Sequence, residues 1–140
     1  MTIKEIQEEI IDEFSMFEDW MERYEYIIEL GKSLPLIDDS CKIDGNLIVG
    51  CQSKVWLHSE IDGDKISFTA DSDAILTKGI ISLLLSVYSQ QTPKDILEAD
   101  PFFIDEIGLK EHLSPTRANG LLSMVKQIKL LALAYQTKNS

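Results

Sequence analysis

Ile3, Ile6, Ile10 and Phe14 recur at three- and four-residue intervals behind Thr2. That period predicts an amphipathic helix, and Thr2 followed by Glu5 is the capping-box pattern that would start it. A second stripe, Trp20, Tyr24, Ile27 and Ile28, follows Asp19 and runs to Gly31. Leu34-Pro35-Leu36 cannot easily continue it, so the two helices are expected to form a hairpin. Residues 33–46, with Pro35, Asp38-Asp39 and Gly45, read as an irregular connection.

The period then shortens to two. Leu47-Ile48-Val49 is apolar and mostly β-branched. Val55, Leu57 and Ser59 alternate with Trp56, His58 and Glu60, and Ile66, Phe68 and Ala70 alternate after the turn residues Ile61-Asp62-Gly63-Asp64. Three antiparallel strands are predicted. Asp71-Ser72-Asp73 offers N-cap oxygens to a helix from Ala74 to about Ser89, whose apolar residues face every direction, as in a central buried helix. Thr92-Pro93 and Asp100-Pro101 open short helices, the second running to about Ile107-Gly108. Ser114-Pro115 opens a last one, whose stripe of Leu121, Leu122, Val125, Ile128, Leu131 and Ala132 carries it to about Tyr135. The expected fold class is α+β: one domain over residues 1–140, with helices packed over one face of a small three-stranded antiparallel sheet.

Charge changes the picture in one respect. The formal net charge is −11, and nucleic-acid affinity comes mainly from Lys and Arg neutralising phosphates. Neither nucleic acid nor an anionic membrane is therefore an expected partner. The acidic run Glu8, Glu9, Asp12, Glu13, Glu18, Asp19 and Glu22 reads as a solvated face. Met1-Thr2-Ile3-Lys4-Glu5 lacks the pattern of a signal peptide. Ala74 to Tyr88 is too short, and too interrupted by Thr77, Lys78 and Ser82, to span a bilayer. A cytoplasmic location is expected, where two cysteines do not form a disulfide scaffold. Cys41, Cys51, His58 and His112 have no paired spacing suited to zinc, so no metal is expected. Cys41 reads as an exposed loop thiol and His58 as a strand-face residue.

The candidate chemistry lies at Gly50-Cys51-Gln52-Ser53-Lys54. Gly50 can adopt backbone angles closed to other residues, which predicts a tight turn with Cys51 at its tip. Cys51 is then either a positioned nucleophile or a small buried hydrophobe. An ordinary thiol is only a few per cent thiolate at neutral pH, so nucleophilic work needs a cation or N–H donors nearby. Asp71 and Asp73 could be paired carboxylates for acid–base work, but helix capping explains them better. His112 and Arg117 flank the Ser114-Pro115 cap. Arg117 stands in a first turn, where the helix dipole disfavours a cation. Asp71 or Asp73, a bound anion, or a persulfide at Cys51 could compensate.

These pieces together resemble the SufE family of sulfur-acceptor proteins, including its CsdE-type members. The resemblance rests on Trp20-Met21-Glu22-Arg23-Tyr24 leading to Gly31, on Gly50-Cys51-Gln52-Ser53-Lys54-Val55-Trp56, and on Asp71-Ser72-Asp73-Ala74 with Lys78-Gly79. It continues through His112-Leu113-Ser114-Pro115-Thr116-Arg117 and Asn119-Gly120-Leu121, in that order. The resemblance implies that Cys51 accepts sulfur from the persulfide of a PLP-dependent cysteine desulfurase, stimulating that enzyme. The sulfur would pass on to the iron–sulfur assembly scaffold. The PLP would belong to the partner, with no cofactor on this chain. Gln52 and Ser53 match the cysteine loop, and Asp73 and Arg117 match polar positions around it. The family fold is similar to that of IscU-type scaffolds, but building a cluster takes about three cysteine ligands and another donor, and Cys41 is the only other thiol. Cys41 could still resolve Cys51 as a disulfide or be a second sulfur stop. The competing readings are a stand-alone thiol hydrolase or peroxidase, and an acidic interaction module with an inert Cys51. A protein carrying a reactive persulfide should shield it, so apolar residues are expected to cover Cys51 and the loop to swing out on docking.

Overall fold

The computed structural model describes residues 1–139, and its centre is the helix α3 (Ile75–Tyr88). Every residue from Gly79 to Leu85 is buried, as the all-round apolar pattern predicts. The helix α2 (Trp20–Gly31) lies along it. The two backbones touch where Gly79 meets Ile27: a Cβ on Gly79 would stand 2.7 Å from the Ile27 carbonyl carbon. Ser82 Oγ donates to the Leu30 carbonyl at 2.8 Å, so the polar position on this buried face is satisfied.

The helix α1 (Ile3–Ser15) opens with the expected capping box: Glu5 N–H donates to Thr2 Oγ1 at 3.1 Å, and Thr2 N–H to Glu5 Oε1 at 3.0 Å. Such a cap is worth ~1 kcal/mol. Buried Gln7 ties α1 to the start of the short helix α5 (Phe103–Glu106): its Nε2 donates to the Asp100 carbonyl, and its Oε1 accepts from Phe103 N–H. The expected α1–α2 hairpin is joined through Phe14, Phe17 and Tyr26, whose rings meet at 5.1–6.2 Å.

The sheet is smaller than predicted. Strands β1 (Val55–Asp62) and β2 (Lys65–Ser72) pair antiparallel across Gly63-Asp64, with Leu57 opposite Ala70 and Ile61 opposite Ile66. Leu57, Ile66, Phe68 and Ala70 are at most 3% exposed on the inner face. The expected third strand, Leu47–Val49, shrinks to a single bridge between Leu47 and Trp56, with Ile48 N–H donating to the Val55 carbonyl at 2.9 Å. Gly50, at φ 98, turns the chain away after that one pair. The free edge of β2 is covered instead by residues 35–37: Ile37 N–H donates to the Ala70 carbonyl, and Ala70 N–H to the Pro35 carbonyl.

The remaining helices are α4 (Pro93–Glu98), capped by Thr92, then α5, α6 (Leu109–His112) and α7 (Pro115–Asn139). The helix predicted from Asp100-Pro101 to about Gly108 is the four-residue α5, ended where Gly108 takes φ 70, and the four-residue α6 beyond that glycine was not predicted. The last helix passes its expected end at Tyr135. No helix among the described residues is long and apolar enough to cross a membrane.

Candidate active site around Cys51

Cys51 stands where the hairpin's first strand, the middle of the chain and the start of α7 converge. Gly50 reaches Cys51 by a left-handed turn pressed against α7. A Cβ on residue 50 would run into Ser123 Oγ and stand 3.2 Å from Ser123 Cβ. The far end of the loop is pinned by Asp73, whose carboxylate accepts from Lys54 N–H at 3.0 Å while its own N–H donates to the Lys54 carbonyl. The loop is thus clamped at both ends by tertiary contacts.

The Cys51 side chain is half-buried. Its S–H donates to the Gly120 carbonyl of α7 at 3.6 Å. Burial pushes the thiol above its ordinary pKa, because a thiolate loses its hydration there. A carbonyl acceptor likewise favours the protonated form. In this conformation the sulfur is covered and held as a thiol.

Next to it is a pocket of about 210 Å³ lined by Cys51, Gln52, Ser53, Thr77, Ile80, Ser114, Thr116, Arg117, Gly120 and Met124. The structure therefore brings Cys51, Gln52, Ser53 and Arg117 together. The expected apolar cover is only partial: Ile80 and Met124 supply it, and the remaining wall is polar. Ser114 caps α7 as predicted, accepting from Arg117 N–H at 3.3 Å. The exposed Arg117 makes no ion pair among the described residues. A groove of about 490 Å³ between α4 and α7 is larger, but it contains none of this chemistry, and size alone does not make it the site.

Three expected members lie elsewhere. Asp71 pairs with Lys42 at 2.7 Å and Lys78 at 3.3 Å. Burial alone would raise its carboxyl, but the bonds from Lys42, Ser72 N–H and Lys78 hold it below the usual carboxylate range. Asp71 and Asp73 do not cap α3: Ala74 is the N-cap residue, and its N–H is satisfied by Ser72 Oγ at 3.2 Å. Lys42 and Lys78 pair with Asp71, and Asp73 accepts from Lys54 N–H on one oxygen; among the described residues neither carboxylate makes an ion pair with Arg117. His112 stacks on Trp20 with ring centroids 3.9 Å apart, its Nδ1 3.0 Å from the Gly108 carbonyl, and its own carbonyl accepts from the Tyr24 hydroxyl. It braces the α6–α7 corner. Cys41, expected to be exposed, is half-buried in a 3-10 turn, where Asn46 Nδ2 donates to its carbonyl at 2.7 Å. Sequence reasoning missed Thr77, Ile80 and Met124 as pocket walls. The one signal for Thr77 was a hydroxyl interrupting an apolar helix.

Comparison with known proteins gives this geometry a context. A family described as "SufE: Fe-S metabolism associated domain" matches residues 8–132. An uncharacterised SufE-like protein of Rhizobium etli is 42% identical over 127 residues, covering 87% of this chain and 86% of its own length. Another, from Rhizobium meliloti, is 39% identical over 127 residues, covering 87% and 91%. The solution structure of a hypothetical protein from Thermus thermophilus superposes with a TM-score of 0.78 at 19% identity, over 94% of this chain and 96% of that one. That last likeness shows the shared fold alone. With the family matching nearly the whole chain and two relatives near 40% identity, the chain belongs to the SufE family, whose domain is associated with Fe–S metabolism.

Proposed function

We propose that this protein is a sulfur carrier: Cys51 accepts the outer sulfur of a cysteine desulfurase persulfide and delivers it to iron–sulfur assembly. The observation that carries the reading is the placement of Cys51, a free thiol on a loop clamped at both ends and turned onto a pocket that holds Arg117. The Cys51 thiolate attacks the outer sulfur of the donor, a new S–S bond forms at Cys51, and the donor's S–S bond breaks. The donor leaves as a thiolate, which takes up the proton that Cys51 gave up. One sulfane sulfur moves and no net oxidation occurs. Rates of such exchange follow the thiolate fraction, the leaving group and access.

The covered thiol is poorly suited to attack as it stands. Docking of the partner would draw the loop off Gly120, exposing the sulfur and restoring its hydration. Val49, 90% exposed immediately before the turn, gives a partner an apolar handle on the loop. A stand-alone thiol enzyme is disfavoured, because the Cys51 sulfur bonds only to a carbonyl among the described residues and no base holds its proton.

The test is to mix the protein with a cysteine desulfurase and free cysteine. Sulfide release should rise, and Cys51 should gain the mass of one sulfur. Stimulation that survives Cys51→Ala would instead point to an interaction module, and persulfide retained on Cys51→Ser would move the acceptor to Cys41.

A further inference from the structure

Thr77 is 6% exposed, and its hydroxyl makes no hydrogen bond among the described residues. It lies on α3, a turn before Ile80, and both residues line the pocket beside Cys51. The enclosed side-chain atoms without a partner among the described residues are Arg23 Nε and Tyr88 OH; the Thr77 oxygen is not one of them, so it opens on the pocket, free to donate to whatever enters. The unused donor therefore points to a visitor in the pocket. Arg117, on the same wall and without an ion pair, gives that visitor's sign. Asp71 is paired with Lys42 and Lys78, Asp73 makes no ion pair with Arg117 among the described residues, and the first turn of α7 adds its own positive end.

We propose that Thr77 is a binding residue for the transferred sulfur: when Cys51 carries a persulfide, the outer sulfur lies in this pocket as an anion. There it accepts a hydrogen bond from the Thr77 hydroxyl and faces the Arg117 guanidinium. This rests on the sulfur-carrier reading and adds to it the group that holds the cargo. The bare thiol does not need Thr77, because its proton is already given to the Gly120 carbonyl. The persulfide does, since its charge sits one bond further out, beyond that carbonyl's reach.

The test uses the full chain in a Cys41→Ser background, with Cys51 loaded chemically by inorganic polysulfide, so that no desulfurase is involved. The persulfide's near-ultraviolet absorbance is titrated against pH, and its lifetime is followed in dithiothreitol. Thr77→Val should load normally, but with the persulfide pKa raised by about one unit and sulfide lost several-fold faster. Thr77→Ser should restore both. A Thr77→Val persulfide that titrates and decays like the wild type overturns the assignment. Urea unfolding of the unloaded variants separates this from a folding defect, since the persulfide effect should appear at a urea midpoint matching the wild type's. Loading of the wild type by a desulfurase and cysteine is measured separately, so failure of the carrier reading shows there and failure of the Thr77 assignment shows in the titration.

Discussion

Gly50→Ala is the sharpest probe of the clamp on Cys51. Alanine at φ 98 leaves the region open to L-residues, which costs ~1 kcal/mol or more. Its Cβ would also overlap Ser123 Oγ, adding at least ~1 kcal/mol as overpacking. Both terms act on the closed loop and vanish when it lifts away from α7. Closure should therefore weaken by ~2 kcal/mol, raising the open fraction about thirtyfold at a factor of ten per 1.4 kcal/mol. The assay is alkylation of Cys51 by dilute iodoacetamide at fixed pH in a Cys41→Ser background, followed by mass spectrometry. At low reagent the rate reports the open population. Gly50→Ala should react about thirtyfold faster. Adding Ser123→Ala should reduce the acceleration to roughly fivefold, because the oxygen overlap goes and the backbone strain stays. The urea midpoint should move less than the alkylation rate, since the loop opens without unfolding the core. Wild-type alkylation rates in Gly50→Ala, or an acceleration unaffected by Ser123→Ala, would refute the clamp.

Burial raises the Cys51 thiol, so the half-rise of its alkylation rate should lie above about pH 8.5, the value of a free thiol. Because the folded value is the higher one, its stabilising contribution is complete below the unfolded pKa and is lost as pH rises through the folded one. Cys51→Ser should remove that alkaline slope from urea unfolding. Asp71→Asn deletes the carboxylate shared by Lys42 and Lys78 and should cost ~1–2 kcal/mol, toward the low end for a bond to a charged group because both lysines keep access to water. Asp71 titrates below the usual carboxylate range, so its contribution is present above the unfolded pKa and lost as pH falls through the folded one. The Asn variant should flatten the acid limb of the stability profile, and an unchanged limb would remove Asp71 from it.

Local chemistry made much of this protein legible in its sequence. Thr2 and Glu5 cap α1 as their spacing requires, the period-two run makes the hairpin, and the all-round apolar run becomes the central helix. These outcomes depend on residues a few positions apart, which is the range over which periodicity and capping carry information. Gly50 likewise announced a turn bearing Cys51. Tertiary structure decided everything that depends on which distant groups compete for a partner. Asp71 had the residue type of a cap, but Lys42 and Lys78 reach it first. Leu47–Val49 had the composition of a strand, but the turn at Gly50 against Ser123 leaves it one pair long. Thr77 stands 26 positions from Cys51, and only the packing of α3 beneath the start of α7 puts its hydroxyl and that sulfur on the same pocket. Bonding over a few residues is written in the order of the chain; contact between residues far apart is settled only when the core closes.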